Sequence, residues 1–210
     1  MHANCSTKKV EIFLMGKEGK MGKMVRELAE KDPEVEVVEG GDVVIDFSSP
    51  EGTKKAIAMQ KPLVCGTTGL SEEIFEQLHA LSKKVPVLYS PNFSLGMALC
   101  FEMLTFLKKR LKKQAKITIE ETHHTQKIDA PSGTAKRMAK ILEVEEVLSH
   151  REGNVTGIHQ VDFLLANEKI TLSHEALSRA SFAEGALMAA KFLWNQPPKY
   201  YSMRDFINPI

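Results

Sequence analysis

Residues 121–135 contain the densest group of reactive side chains in the chain. His123, His124 and Lys127 fall within five positions, and a Ser-Gly-Thr turn at 132–134 precedes a segment with helical spacing. Imidazoles exchange protons near neutral pH, and the N–H groups that begin a helix bind anions. The pattern predicts a site that holds a small anion while a proton moves. An ordinary polar loop would also fit these residues taken alone.

His123 and Lys127 are each able to donate a proton. A lowered pKa at Lys127 would require burial or a cationic neighbour, and His124 is a candidate for that neighbour. A packing or hydrogen-bonding role for His124 is an equally open alternative. A metal site formed by these histidines with His150, His159 and His174 is conceivable, but it is disfavoured because the chain has neither an HExxH pattern nor paired cysteines.

The composition describes a soluble globular protein with one sizeable core or two small domains. The 210 residues are 43% hydrophobic and 26% charged, and the net charge of +1 favours neither nucleic acid nor an anionic membrane as a partner. Three widely spaced cysteines, Cys5, Cys65 and Cys100, fit a reducing compartment.

No targeting or membrane segment is predicted. Residues 1–9 are polar and lack the apolar core of a signal peptide. The apolar stretch 95–107 is interrupted by Glu102 and Thr105 and is too short to cross a bilayer. We therefore expect a cytoplasmic protein.

The first half of the chain alternates short buried strands with helices. Strands are predicted at 10–15, 35–38, 42–47, 63–65 and 85–89, and helices at 23–31, after the Ser49-Pro50 start signal, and at 71–84. This order predicts a parallel sheet of βαβ units, in which the turns after the strands gather at one edge. A ligand crevice bordered by Gly16, Asp46, Gly66 and Ser90 follows from it.

The second half predicts an α+β domain with an antiparallel or mixed sheet. A long helix at 95–113 precedes a strand at 116–122, a helix at 135–142 and a hairpin of strands at 161–165 and 169–174. A final helix at 182–194 is followed by a tail, 197–210, that is expected to pack on the first domain.

The turn at 16–22 has the position of a dinucleotide-binding turn, because it follows a strand and opens a helix. Glu18 stands where the usual fingerprint has its second glycine. Lys20 is placed to meet a phosphate, or is simply solvated. Glu39, at the end of the second strand, is placed to accept a ribose hydroxyl, or is a charged turn residue.

Taken in order, these motifs resemble the 4-hydroxy-tetrahydrodipicolinate reductase family, also called dihydrodipicolinate reductase. The run from 121 to 135 is highly specific, and the glycine turn alone is not. The matching pieces span nearly the whole chain: Gly16-x-x-Gly19-x-Met21-Gly22, Asp46-Phe-Ser-Ser-Pro-Glu-Gly-Thr53, Gly66-Thr-Thr-Gly69, Asn92-Phe-Ser-x-Gly96, Glu121-Thr-His-His-x-x-Lys127-x-Asp-Ala-Pro-Ser-Gly-Thr-Ala135, Arg151-x-Gly153-x-x-x-Gly157-x-His159, and Ser178-Arg179 with Phe182-Ala-x-Gly185.

The resemblance implies a Rossmann-like dinucleotide-binding domain at 1–93 and 180–210, and an α+β substrate-binding and tetramerisation domain with a mixed sheet at 94–179. It implies a homotetramer that uses NADH or NADPH to reduce 4-hydroxy-tetrahydrodipicolinate to tetrahydrodipicolinate in the diaminopimelate route to lysine. Because the cofactor and the proton donors would lie on different domains, we expect domain closure to assemble the site.

The resemblance also implies the roles of single residues. His123 would be the acid/base and Lys127 the proton donor, and the substrate, a dicarboxylate, would contact His124, Ser132, Gly133 and Thr134. The stretch after the second strand is shorter than the family usually has, and no arginine stands beside Glu39, which leaves the choice between NADH and NADPH open. The expected cofactor contacts are Gly16, Lys17, Glu18, Gly19, Lys20, Met21, Gly66, Thr67, Thr68, Ser90, Pro91, Asn92 and Phe93.

Overall fold

A computed structural model describes residues 8–111 and 113–207. Cys5 and the polar N-terminus up to residue 7, residue 112 of the predicted helix 95–113, and the last three residues of the predicted tail lie outside the described residues. The chain forms two compact units, Met1–Phe93 with Phe182–Ile210, and Ser94–Ser181. The sequence placed the second of these boundaries at 179/180. The elements are β1 (Val10–Met15), α1 (Lys20–Ala29), β2 (Val35–Val37), β3 (Val43–Asp46), α2 (Pro50–Ala58), β4 (Leu63–Cys65), α3 (Glu72–Ser82), β5 (Val87–Tyr89), α4 (Leu95–Leu111), β6 (Lys116–His123), α5 (Gly133–Leu142), β7 (Leu148–Arg151), β8 (Ile158–Leu164), β9 (Lys169–Glu175), α6 (Ala180–Leu193), β10 (Tyr200–Tyr201) and α7 (Met203–Ile207).

The first unit contains a six-stranded sheet in the order β10-β5-β4-β3-β1-β2, and every pairing in it is parallel. The predicted Rossmann-like parallel sheet is therefore confirmed. Because parallel strands end at the same edge, the segments that follow β1, β3, β4 and β5 leave the sheet together. These are the segments that carry most of the predicted cofactor contacts.

One face of this sheet packs against α2 and α3. Side chains of β3, β4 and β5 are fully buried there with Ile57 of α2 and Ile74 and Leu78 of α3. Helix α2 begins as predicted, with Ser49 accepting a hydrogen bond from the Gly52 N–H at 3.2 Å and Pro50 in the first helical position. Burial of these apolar groups fixes the strands whose ends form the edge.

The second unit contains a four-stranded mixed sheet in the order β7-β6-β8-β9. Strand β7 is parallel to β6, and the other two pairings are antiparallel. Alternate residues of β6 and β8, among them Ile119, Val161 and Phe163, form a core with α4 and α5 on one face. The predicted α+β unit with a mixed sheet is confirmed.

The structure corrects several predicted elements. Helix α1 begins at Lys20 and β8 at Ile158, both three residues before the predicted starts, because the first three residues of each contain a single large apolar side chain and so show no clear apolar periodicity. Strands β7 and β10 were missed. β7 has the sequence Leu-Ser-His-Arg without buried side chains, so only its pairing with β6 makes it a strand. The short β10 lies in the tail, 197–210, and pairs with β5 of the first unit. This pairing agrees with the prediction that the tail packs on the first domain.

Two further features follow from the described part of the chain. Cys65 and Cys100 are buried and free. In 8–111 and 113–207, no helix combines the length and the apolar character that crossing a bilayer requires.

Candidate active site

A row of polar side chains crosses the second unit's sheet at one level. The strand register places Ser149 of β7 and His159 of β8 on either side of Glu121, and His174 of β9 beside His159. Side chains alternate between the faces of a strand, so Glu121 lies on the same face as Ile119. The polar row thus continues the apolar core under α4 and α5.

Glu121 is the centre of this row and is only 1% exposed. Its Oε1 accepts hydrogen bonds from the Ser132 N–H at 2.9 Å and from the Ser149 hydroxyl at 3.0 Å, and Arg151 Nη2 lies 3.4 Å away. Its Oε2 is buried without a hydrogen-bond partner. Burial raises the pKa of Glu121, but the hydrogen bonds from Ser132 and Ser149 outweigh it and the pKa lies below its ordinary value. The carboxylate is therefore charged at neutral pH.

Two imidazoles face the unpartnered oxygen. His123 Nδ1 lies 3.5 Å and His159 Nε2 3.6 Å from Glu121 Oε2, and the two rings meet edge to face with centroids 5.0 Å apart. Burial, with help from Lys127 and Arg151, lowers the pKa of His123 against the opposing effect of Glu121. Burial lowers the pKa of His159 to about 4. Both rings are neutral at pH 7, and each can exchange or relay a proton.

Gly157 leaves space beside the second nitrogen of His123. A Cβ at this position would lie 3.0 Å from His123 Nε2 and 3.3 Å from its Cδ2. Because Nδ1 faces Glu121, Nε2 is the nitrogen left for a ligand. The absence of a side chain at 157 keeps that approach open.

The start of α5 adjoins this cluster and suits an anion. Ser132 caps the helix by accepting the Ala135 N–H at 3.2 Å, and its hydroxyl lies 3.2 Å from His159 Nε2. The first turn has no acidic residue, and Gly133 is exposed, with open space within 4 Å of the point where a Cβ would stand. The helix dipole and the N–H groups of this turn therefore present a positive end to solvent.

Lys127 is held by Asp129 at the edge of the cluster. Its Nζ lies 2.7 Å from Asp129 Oδ1, and this hydrogen bond lowers the pKa of Asp129. Arg151 donates to the carbonyl oxygens of Lys127 at 3.3 Å and Asp129 at 2.5 Å, which ties the loop to Glu121. His124 accepts the Lys127 N–H through its carbonyl at 3.1 Å. The charged group next to the Lys127 ammonium is therefore the Asp129 carboxylate, whereas the sequence had suggested the His124 imidazole as a candidate neighbour.

In the first unit, the turn after β1 has the shape of a phosphate cradle. Gly16 has φ +83°, and a Cβ on Gly16 or Gly22 would overlap backbone atoms. No side chain caps α1 at Gly19, so the N–H groups of its first turn are left for a ligand. Exposed Lys17 and Lys20 flank the turn. These observations fit the pyrophosphate of a dinucleotide, and Glu18 is exposed and does not fill the cradle.

Glu39 lies within reach of this turn, since its Oε1 is 3.3 Å from Lys17 Nζ. Both side chains are largely exposed. Lys61 donates to the carbonyl of Gly41 at 2.8 Å and so fixes the short segment that follows Glu39. The acidic group at the end of β2 and the glycine turn after β1 are therefore brought together.

The other predicted cofactor residues divide into buried and accessible ones. Thr67 accepts the Ser48 N–H at 3.0 Å, Ser90 accepts the Asn92 N–H at 3.2 Å, and Phe93 is buried edge-on to Phe47. These contacts shape the turns after β4 and β5. The residues of these turns that are exposed or half-buried are Gly66, Thr68, Pro91 and Asn92.

The sequence assigned no role to Glu121 or Arg151 and suggested His159 only as a conceivable metal ligand, although all three belong to quoted motifs. One signal was present, because Ile119 and Glu121 alternate on the predicted strand 116–122 and His123 continues the same alternation directly after it. A buried carboxylate beside a buried imidazole follows from that alternation. The partners on β7 and β8 required the strand register, which the sequence does not contain.

Within the described ranges, Glu121, His123 and His159 form the one trio whose ligand atoms lie close enough, within 4.8 Å of one another, to hold a metal ion. The Arg151 guanidinium already contacts the Glu121 carboxylate, and Lys127 adds a second positive charge. These cations oppose a divalent ion at the same place. The trio is better suited to a hydrogen-bonded proton network.

Comparison with known proteins shows similarity to the dihydrodipicolinate reductases in both sequence and fold. Family models described as the C-terminus and the N-terminus of dihydrodipicolinate reductase match residues 96–207 and 36–93. The 4-hydroxy-tetrahydrodipicolinate reductase of Alkaliphilus oremlandii is 35% identical to this chain, and the match covers 95% of this chain and 99% of that protein. The 4-hydroxy-tetrahydrodipicolinate reductase of Bdellovibrio bacteriovorus is 38% identical, and the match covers 95% of this chain and 97% of that protein. The dipicolinate-bound dihydrodipicolinate reductase from Paenisporosarcina sp. TG-14 shares the fold, with a TM-score of 0.78, 21% identity, and coverage of 92% of this chain and 97% of that one.

Proposed function

The chain belongs to the dihydrodipicolinate reductase family and is an oxidoreductase, and we propose that it reduces 4-hydroxy-tetrahydrodipicolinate to tetrahydrodipicolinate with NADH or NADPH. This reaction belongs to the diaminopimelate route to lysine. The observation that carries the proposal is the grouping of His123, His159 and the start of α5 around one buried carboxylate, Glu121. This grouping brings residues that can exchange protons and a helix start that can bind an anion together in the second unit.

The start of α5 is the proposed site for a carboxylate of the substrate. Ser132, Gly133 and Thr134 begin this helix, where N–H groups and the helix dipole favour negative charge. His124 lies half-buried beside the same loop and is a further contact. The Paenisporosarcina relative, which has dipicolinate bound, supports a dicarboxylate ligand for this fold.

Proton transfer is assigned to His123 and Lys127. The overall reaction adds one hydride and one proton to the substrate ring and releases its hydroxyl as water. After hydride addition the ring carries electron density that takes up a proton, so a cation nearby stabilises the charge and supplies that proton. Lys127, held by Asp129, is the proposed donor, and His123 Nε2 is the proposed acid/base.

The glycine turn is the proposed site of the dinucleotide. Gly16, Lys17, Glu18, Gly19, Lys20 and Met21 would hold the pyrophosphate, Glu39 the ribose, and the turns 66–68 and 90–93 the remaining part. A reduced nicotinamide supplies the hydride. Lys20 adds positive charge at the first position of α1. Phosphate oxygens would accept hydrogen bonds from the backbone N–H groups of this first turn.

We also propose a homotetramer that forms through the open face of the second unit's sheet. Helices α4 and α5 cover the other face, while Thr118, Thr171 and Ser173 on the open face are exposed. Light scattering after size exclusion tests this assembly. A mass near that of the single 23.4 kDa chain would contradict it.

Initial-rate measurements test the activity directly. Purified protein is mixed with NADH or NADPH and freshly prepared 4-hydroxy-tetrahydrodipicolinate, and absorbance of the reduced cofactor is followed. We expect oxidation that depends on the substrate and saturates with it. No oxidation with either cofactor, by protein that binds a cofactor in calorimetry, would rule out the proposed reaction.

A further inference from the structure

The two oxygens of Glu121 contact two different parts of the candidate site. Oε1 accepts the Ser132 N–H at the start of α5, at 2.9 Å. Oε2 faces His123 Nδ1 at 3.5 Å and has no hydrogen-bond partner of its own. A buried carboxylate oxygen without a donor is costly, whereas a nearby N–H removes that cost. The geometry therefore calls for a proton on the nitrogen that faces it.

We propose that Glu121 is the positioning residue of this site, holding the Nδ1 proton of His123 with one oxygen and the anion-binding turn at Ser132 with the other. The inference rests on the proposed function. Its consequence is that His123 presents a bare Nε2, beside Gly157, as the atom that takes and returns a proton. One side chain would thereby fix both the acid/base and the carboxylate-binding backbone relative to each other.

The tautomer follows from the surroundings of His123. Lys127 and Arg151 are cations and cannot accept its proton, and His159 is a second neutral imidazole. Glu121 Oε2 is the acceptor nearest to Nδ1, so protonation at Nδ1 satisfies both atoms. A carboxylate in this position also stabilises the imidazolium that forms when Nε2 takes a proton.

His159 competes for the same oxygen but has another partner. Its Nε2 lies 3.2 Å from the Ser132 hydroxyl and 3.6 Å from Glu121 Oε2. A proton on Nε2 of His159 can therefore be directed to Ser132, which leaves Oε2 to His123. This division supports a site in which each imidazole has a single defined tautomer.

A purely structural role for Glu121 makes a different prediction, and Glu121→Gln separates the two. The amide oxygen of glutamine can still accept the Ser132 N–H and the Ser149 hydroxyl. Its NH₂ group, however, would face the imidazoles as a donor and would favour His123 with a bare Nδ1 and a protonated Nε2. The turn at α5 is preserved while the tautomer is reversed.

The experiment combines NMR with kinetics. Protein labelled with ¹⁵N-histidine reports which ring nitrogen of His123 carries the proton, with His123→Gln identifying the signal. We expect Nδ1–H in the wild type, Nε2–H in Glu121→Gln, and a fall in kcat/KM of roughly 100-fold or more in that variant. Glu121→Asp, which keeps a carboxylate, should retain the Nδ1–H tautomer and lose less activity.

Glu146→Gln is the matched control, because it removes the same charge at an exposed position of the same unit, in the segment before β7. It should keep both the tautomer and the rate. Wild-type His123 protonated at Nε2 would overturn the proposal on its own, even if no variant folds. Wild-type protein that binds cofactor without turnover would instead refute the proposed function, and the NMR result would still decide the role of Glu121.

Discussion

Glu121 on β6 and His159 on β8 are direct cross-strand partners, and Glu121 Oε2 lies 3.6 Å from His159 Nε2 on the buried face of the sheet. The same strands bury Ile119 and Val161 as neighbouring partners. The apolar pair Ile119–Val161 and the polar pair Glu121–His159 are thus successive cross-strand pairs on the same face of the sheet. Because the register that packs the core also sets the polar contacts, the chemistry of the site depends on the stability of the sheet.

The stability of the fold should fall as the pH decreases from about 6.5 to about 4. Burial lowers the pKa of His159 to about 4 in the folded protein, whereas a free histidine titrates near about 6.5. Between these values the unfolded chain binds more protons, so acid favours unfolding, and the contribution of His159 is fully present only above the window. It amounts to at most roughly 3 kcal/mol. Urea unfolding at a series of pH values measures it.

His159→Gln should reduce that dependence, because glutamine does not titrate, and the remaining part comes from groups such as His123, whose pKa burial also lowers. Glu121, whose pKa is lowered in the fold, loses its stabilising contacts at still lower pH and acts in the same direction. Exposed His150 provides the control, and His150→Gln should keep the wild-type slope. An unchanged slope in His159→Gln would show that His159 is not the group responsible.

Gly157→Ala should lower kcat without weakening cofactor binding. A methyl group there would lie 3.0 Å from His123 Nε2, closer than ordinary contacts allow, and would displace the ring or block its approach. We expect a loss of about 10- to 100-fold in kcat. Steady-state rates give this loss, and calorimetric titration with NADH, together with the unfolding midpoint, shows whether the fold is kept. Wild-type kcat in a folded variant would mean that His123 does not work through Nε2.

Much of the fold could be predicted because its signals are local. The buried runs at 43–46 and 63–65, the Ser49-Pro50 helix start and the helix after the turn at 132–134 each depend on neighbouring residues alone. Strand β7 could not be predicted in this way, since it has no buried side chain and exists through pairing with β6. Pairing between distant segments is a property of the folded chain.

The candidate site likewise contains residues that the sequence could identify and contacts that it could not. His123, Lys127 and the Ser132 turn are close in sequence, so their types and spacing pointed to them. Arg151 and His159 reach Glu121 only through strand pairing, at separations of 30 and 38 positions along the chain. A motif can mark such residues, but their contacts become visible only when the register is known.

Lys127→Ala should reduce kcat by roughly 100- to 1000-fold, because it removes the proposed proton donor. Asp129 would then lose its hydrogen-bonded ammonium group and keep only the more distant attraction of Arg151. Rates at saturating substrate measure the effect on kcat. Lys140→Ala, which removes an exposed lysine later on α5, is the matched control and should keep the wild-type rate. If both variants turn over equally, the proton comes from another group.

Cofactor choice should depend on Glu39. Its carboxylate is suited to accept the 2′-hydroxyl of NADH and repels the 2′-phosphate of NADPH, while Lys17, with Nζ 3.3 Å from Glu39 Oε1, offsets part of that repulsion. We therefore expect wild-type protein to bind both cofactors, with NADH preferred. Glu39→Gln should lower the Kd for NADPH and raise the Kd for NADH, each by less than about 10-fold, because the pair is solvent-exposed.

Calorimetric titration of each variant with both cofactors measures this shift independently of catalysis. Lys17→Ala should move the ratio of the two Kd values in the opposite direction, since Glu39 then repels the 2′-phosphate without compensation. Glu36→Gln makes the same charge change on the exposed side of β2 and should leave the ratio at its wild-type value. If Glu39→Gln and Glu36→Gln give the same ratio, the discrimination between the cofactors comes from residues away from the end of β2.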